Sequence, residues 1–103
     1  MKIIPEPIAF EWDKGNREKN EVKHGVENRE AEEVFVNKPM LVKKDSVHSA
    51  EEQRFQALGK TNKRKLLFLS FTLRKEKIRV ISVRCMNKKE RNIYEKTEKN
   101  SDF

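Results

Sequence analysis

The stretch Leu66-Leu67-Phe68-Leu69-Ser70-Phe71-Thr72-Leu73-Arg74-Lys75-Glu76-Lys77-Ile78-Arg79-Val80-Ile81-Ser82-Val83-Arg84-Cys85 reads as two apolar strands joined by a charged turn. Aromatic and β-branched residues of this kind suit a pleated surface that is at least half buried. The connection Leu73-Arg74-Lys75-Glu76-Lys77 has neither Gly nor Asn, so it makes a hairpin plausible while leaving the turn type open. Strict alternation would place Ile78, Val80, Ser82 and Arg84 on one face of the second strand, with Arg79, Ile81, Val83 and Cys85 on the other. A strand that is apolar on both faces belongs inside a sheet. Cys85, ending an apolar run, reads as a small buried residue.

Upstream, Arg54 to Gly59 is a half-apolar strand and Met40-Leu41-Val42 a short one, separated by a polar loop from Lys43 to Glu52 that carries His48 and Ser49. Asn28 can cap a helix whose core stripe is Ala31, Val34 and Phe35, and Pro39 follows its end. Asp13 can cap an earlier helix that Gly25 stops. That helix has Val22 as its only large apolar residue, so it has no stripe to bury. Asn16, Asn20, Lys23 and His24 fall on one of its faces, which is either a solvated surface or a row facing a ligand. Before it, Ile8 to Trp12 reads as a strand, after an irregular start at Pro5 and Pro7.

Downstream, Asn87 and Glu90 have capping-box spacing, and Ile93, with Tyr94, is expected to dock the last helix on the sheet. From about Lys96 the chain is polar and is expected to fray. The outline is β-α-α-β-β-β-β-α. This is one α+β domain over residues 1–103 with an ordered core at about 8–96. It has a small, mostly antiparallel sheet, two N-terminal helices and a C-terminal helix.

The chain carries 40% charged and 35% apolar residues, polar for a globular protein of 103 residues. Its net charge of +7 is unevenly spread. Residues 1–59 hold ten Lys/Arg against twelve Asp/Glu, and residues 60–103 hold fourteen against five. Such a basic half attracts a polyanion, most simply the phosphates of RNA or DNA, unless it serves only as a solubilising surface. A lone cysteine forms no intramolecular disulfide, and no His/Cys cluster has metal-ligand spacing. No apolar run is long enough for a bilayer or a signal peptide, so the expected setting is a reducing cytoplasm without membrane attachment.

Phe10-Glu11-Trp12-Asp13-Lys14, Asn20 and Lys23-His24-Gly25-Val26 resemble the opening signature of the BrnT toxins. Further segments match in order. Ala31-Glu32-Glu33-Val34-Phe35 is followed by His48-Ser49, Glu52-Gln53-Arg54-Phe55 and Ala57-Leu58-Gly59. Arg79 to Arg84, Glu90-Arg91 and Tyr94-Glu95 close the series. The resemblance covers roughly residues 8–95. Cys85 and Met86 depart from the family's more usual Arg and Ala, and Gln53 replaces a usual acid.

The resemblance implies a RelE-like fold and a metal-independent endoribonuclease, needing no cofactor, that cleaves RNA and inhibits translation. It implies neutralisation by a BrnA-type ribbon-helix-helix antitoxin, through which the complex reaches operator DNA, and a dimeric toxin within that complex. The alternative is a non-catalytic basic module that binds nucleic acid or pairs with an antitoxin.

RNA cleavage without a metal needs a base for the 2′-hydroxyl, cations for the transition state and an acid for the leaving oxygen. His24 titrates nearest neutral pH, although its place before a capping Gly equally suits a helix-dipole role. Arg54 and Arg84 offer planar forks for phosphate oxygens, whereas Arg79 and Arg84 are expected on opposite faces unless a bulge intervenes. Tyr94 can act as an acid or stack on a base, or simply pack in the core. The catalytic candidates are therefore His24, Arg54, Arg84 and Tyr94. The RNA-binding candidates are Lys23, Asn20, Lys63, Arg64, Arg79 and Lys88.

Overall fold

Chain order runs β1 (Phe10–Glu11), α1 (Asn28–Val34), β2 (Leu41–Asp45), β3 (Arg54–Lys60), β4 (Leu66–Arg74), β5 (Lys77–Cys85) and α2 (Lys88–Asn100). The five strands form one sheet in the order β1-β5-β4-β3-β2. These elements come from a computed structural model that describes residues 4, 8–12, 25–46 and 52–100. The α+β class holds, and the sheet is mostly but not purely antiparallel: the β2–β3, β3–β4 and β4–β5 pairings are antiparallel. The short β1 runs parallel to β5, with Phe10 opposite Ile78 and Glu11 opposite Arg79. The helix expected between Asp13 and His24 lies outside the described residues, which contain two helices.

One face of the sheet carries the core. Phe55, Ala57, Leu67, Leu69, Phe71, Ile78, Val80 and Val83 are buried there under Ala31, Val34 and Phe35 of α1 and its end. Burying each large side chain of this kind contributes about 1.5–3 kcal/mol. Phe35 meets Phe10 and Phe71 edge-on at 5.3 and 5.2 Å, and Phe55 stacks on Phe71 at 5.4 Å. Helix α1 comes so near β3 that a Cβ on Gly59 would collide with Val34 Cγ1. Its N-cap is Glu27 rather than the expected Asn28, and the Glu27 N–H donates to Glu30 Oε1 at 3.0 Å.

The β4–β5 hairpin turns through two residues, Lys75 and Glu76, at φ 51° and 63°. Two consecutive left-handed residues make a type I′ turn, the hand that matches the strand twist, here formed without Gly or Asn. Within the hairpin the register slips between Ser70 and Phe71. Ser70 pairs with Ser82 and Phe71 with Val80, so Ile81 is an extra residue. The bulge reverses the expected alternation. Ile78, Val80, Val83 and Cys85 point to the core face, while Arg79, Ser82 and Arg84 share the other.

Four further expectations are corrected. Strand β2 continues through Lys43 and Lys44 to Asp45, because its pairing with β3 extends to Asp45 opposite Arg54. Cys85 is exposed at the end of β5, and Met86 is the buried residue. Helix α2 docks through Tyr94, fully buried, while Ile93 is 46% exposed. The tail does not fray at Lys96. Helix α2 reaches Asn100, held where Glu98 meets Lys60 Nζ at 2.9 Å and Arg64 Nη2 at 3.3 Å. Among the described residues no helix is long and apolar enough to cross a membrane.

Candidate nucleic-acid interface

The sheet face opposite α1 is built from three cross-strand rows. The first is Asp45, Arg54, Thr72, Arg79 and Glu11, running across all five strands. The second is Lys43, Gln56, Ser70 and Ser82, and the third is Leu41, Leu58, Phe68 and Arg84. Helix α2 covers the end beyond the third row, through the contacts of Glu90 with Arg84 and of Glu98 with Lys60. Thr72 and Phe68 are four residues apart, which separates the outer rows by roughly 14 Å. The face thus presents cations at both ends of a polar middle.

In the first row, Arg79 Nη1 lies 3.5 Å from Glu11 Oε1, and Gln56 Nε2 donates to Asp45 Oδ2 at 3.2 Å. Thr72 is buried and its hydroxyl donates to the Gln53 carbonyl at 2.7 Å, tying the entry of β3 to β4. Glu52, adjacent in sequence to the Arg54 segment, pairs with Arg74 at 3.5 Å.

Arg84 is held on several sides. Its Nη1 and Nη2 donate to Glu90 Oε1 and Oε2 at 2.8 and 3.1 Å, Nη1 also reaches the Cys85 carbonyl at 3.2 Å, and the guanidinium lies 4.2 Å from the Phe68 ring centroid. Glu90 grips the fork end-on. The Nε–H and one Nη2–H, which form the side-on fork, make no hydrogen bond among the described residues. Glu90 also closes the capping box of α2, accepting from the Asn87 N–H at 2.9 Å while Asn87 Oδ1 accepts from the Glu90 N–H at 2.8 Å. The Arg84 hydrogen bond holds the Glu90 carboxyl below its ordinary value, against the opposing effect of burial.

Not every candidate joins this face. Tyr94 donates its hydroxyl to the Pro39 carbonyl at 2.6 Å from a buried position, and burial pushes its pKa up to about 12. Its placement is that of a core residue. Arg64 lies in the turn after β3 with both Glu98 oxygens at 3.3 Å, and exposed Lys63 precedes it, at the opposite end of the strand from Arg54. Lys88 opens α2 and is exposed. His24, Lys23 and Asn20 lie outside the described residues, as does His48.

Sequence reasoning missed Phe68 and Gln56, and saw Glu90 only as a cap. The signal for the bulge was present in β5. Polar residues fall at Arg79 and then at Ser82 and Arg84, a phase slip across the adjacent apolar pair Val80-Ile81. Among the described residues no group of three or more His, Cys, Asp or Glu side chains could hold a metal ion.

Residues 12–90 match the family described as the ribonuclease toxin BrnT of type II toxin–antitoxin systems. The chain belongs to the BrnT family. Its fold is similar to the 1.1 Å crystal structure of the Brucella abortus ribonuclease toxin BrnT, at a TM-score of 0.57 and 24% identity, covering 79% of this chain and 99% of that one. No curated protein matches the sequence. As in its family, the chain is a type II toxin ribonuclease, which implies RNA as substrate and an antitoxin as partner. Within the BrnT match fall Arg54, Arg79, Arg84, Gln56, Phe68 and Glu90.

Proposed function

We propose that this toxin is a metal-independent endoribonuclease that lays single-stranded RNA across the three-row face and arrests translation in the cytoplasm. A BrnA-type ribbon-helix-helix antitoxin neutralises it and carries the complex, containing a toxin dimer, to operator DNA. The observation that carries the catalytic reading is the β5 bulge. It turns Arg79 and Arg84 to one side of the sheet, beside Arg54, where a single strand of phosphates can meet all three.

In this reading the ribose 2′-oxygen attacks the adjacent phosphorus, a 2′-O–P bond forms and the P–O5′ bond breaks. The 2′ proton passes to a base, and an acid protonates the departing 5′-oxygen. Arg84 stabilises charge on the phosphoryl oxygens through its side-on fork, held in place by Glu90 and Phe68. Arg54 and Arg79 anchor neighbouring phosphates, and Lys88 extends the cationic track. His24 is the acid/base candidate, with Lys23 and Asn20 beside it in the sequence. Tyr94 has no part in the reaction in this reading.

The test is cleavage of a long RNA in EDTA by the wild-type chain and by Arg84→Gln, both checked as folded by circular dichroism. Cleavage by the wild type and a loss of at least about 100-fold in the variant support the assignment. Equal cleavage by both removes Arg84 from the site. No cleavage by either overturns the stand-alone ribonuclease and leaves ribosome-dependent cutting, a non-cutting module or an inactivated toxin.

A further inference from the structure

Between α2 and the third row lies a cavity of about 370 Å³, walled by Leu41, Leu58, Phe68 and Ile93. That is the small end of ligand pockets, with room for one flat ring and none for a helix. We propose that this cavity is a nucleobase subsite, receiving one unpaired base of the RNA whose adjoining phosphate rests on the side-on fork of Arg84. The proposal rests on the reading of Arg84 as a phosphate ligand.

Three features argue for a base over an apolar protein side chain. First, the walls are continuous with a cation: the Arg84 guanidinium lies 4.2 Å from the ring centroid of Phe68, which also lines the cavity. A nucleotide joins a flat apolar ring to an anion at short range, and this site offers both complements side by side. Second, the exposed cations Lys43 and Lys89 also line it. The one lining carboxylate, Glu90, is already engaged by Arg84 and the Asn87 N–H. Third, Ile93 is left 46% exposed on a helix whose neighbour Tyr94 is buried, so α2 presents an uncovered apolar side chain to the cavity.

The cavity also carries a hydrogen-bonding group for the edge of the base. Gln56 lines it, and its Nε2 is committed to Asp45 Oδ2 at 3.2 Å. That bond orients the amide and leaves Oε1 as an acceptor. That acceptor can be met by the exocyclic amino group of adenine, cytosine or guanine or by the N3–H of uracil, so it orients the edge of the base without excluding any of the four.

The experiment is an NMR titration of the ¹⁵N-labelled full chain with AMP, UMP, ribose 5-phosphate and inorganic phosphate. It follows the amides of Leu58, Phe68, Glu90 and Ile93 and the Arg84 Nε–H. AMP should move the cavity amides and the Arg84 signal together and bind roughly tenfold tighter than ribose 5-phosphate, which lacks the base. UMP, which also joins a flat ring to a phosphate, should move the same signals. Ile93→Trp fills the cavity from an exposed helix position and should abolish the advantage of AMP while leaving the phosphate response of Arg84 unchanged. AMP binding no tighter than ribose 5-phosphate overturns the subsite while leaving the phosphate reading standing. Cavity shifts with a silent Arg84 Nε–H overturn the phosphate reading and with it the paired arrangement proposed here.

Discussion

Arg79 and Arg84 are five positions apart on β5 yet project from the same face of the sheet, because Ile81 between them has no partner on β4. An unbulged strand would put the two guanidiniums on opposite sides, one of them in the core beneath α1. The extra residue spares the core a charge and gathers the cations where the sheet is polar.

The same geometry predicts the outcome of deleting Ile81. The remaining order, Arg79-Val80-Ser82-Val83-Arg84, alternates strictly and keeps each side chain on its present face. The deletion should give a folded protein with the Ser70–Ser82 and Phe71–Val80 pairings retained, readable as cross-strand nuclear Overhauser effects. The loss of one half-buried side chain should lower stability by only about 1–2 kcal/mol. Inverted faces, or no fold, would contradict this account of the bulge.

Glu90 joins Arg84 to the start of α2, so Glu90→Gln should weaken both. A loss of about 1–2 kcal/mol is expected, and it should be pH-dependent. The Glu90 carboxyl lies below its ordinary value near 4.5 in the folded chain, so its contribution is present above that pH. It is lost as the pH falls below about 4.5 through the depressed folded value. Denaturant unfolding at pH 7 and pH 3 should therefore show the wild type and Glu90→Gln converging at the acidic end. Glu98, lowered chiefly by its hydrogen bond from Lys60, should leave part of the acid sensitivity in place.

At Gly59 a methyl group would meet Val34 across the α1–β3 contact. Gly59→Ala should cost about 1–3 kcal/mol by overpacking. Combined with Val34→Ala it should cost less than the two single changes together, since the space vacated by one side chain accommodates the other. A double-mutant cycle by urea denaturation reads this coupling, and strict additivity would show that the contact is not the source of the cost.

The two-residue turn holds Lys75 and Glu76 in the left-handed region, which costs a residue other than Gly or Asn roughly 1 kcal/mol or more. Replacing the pair by Asn-Gly should raise the thermal midpoint by several degrees with little change in structure. An unchanged or lower midpoint would mean the turn is not type I′.

Tyr94 is the single tyrosine, so its ionisation can be followed by tyrosinate absorbance without interference from another. Its raised pKa implies a titration near 12 rather than 10 in the folded chain. Stability from the buried neutral phenol is complete below pH 10 and declines as the pH rises towards 12. Titration of the native chain near 10 would mean that the hydroxyl reaches water and does not rest on Pro39.

Much of this protein was readable in the chain itself. The boundaries of β5, the Asn87–Glu90 capping box and the Ala31, Val34, Phe35 stripe follow from local chemistry, since periodicity and caps act over a few residues. The BrnT resemblance, carried by ordered segments, likewise needed no coordinates. Only the tertiary structure decided which candidates meet. Register is a long-range property, so the partnering of β4 with β5 set the bulge, and the bulge set the face of Arg84. Packing buried Tyr94 and left Ile93 exposed, a choice that helix periodicity alone does not make because the two are adjacent. Pairing also joined Glu52 to Arg74 and Arg84 to Glu90, because partners across strands and helices are chosen by distance in space.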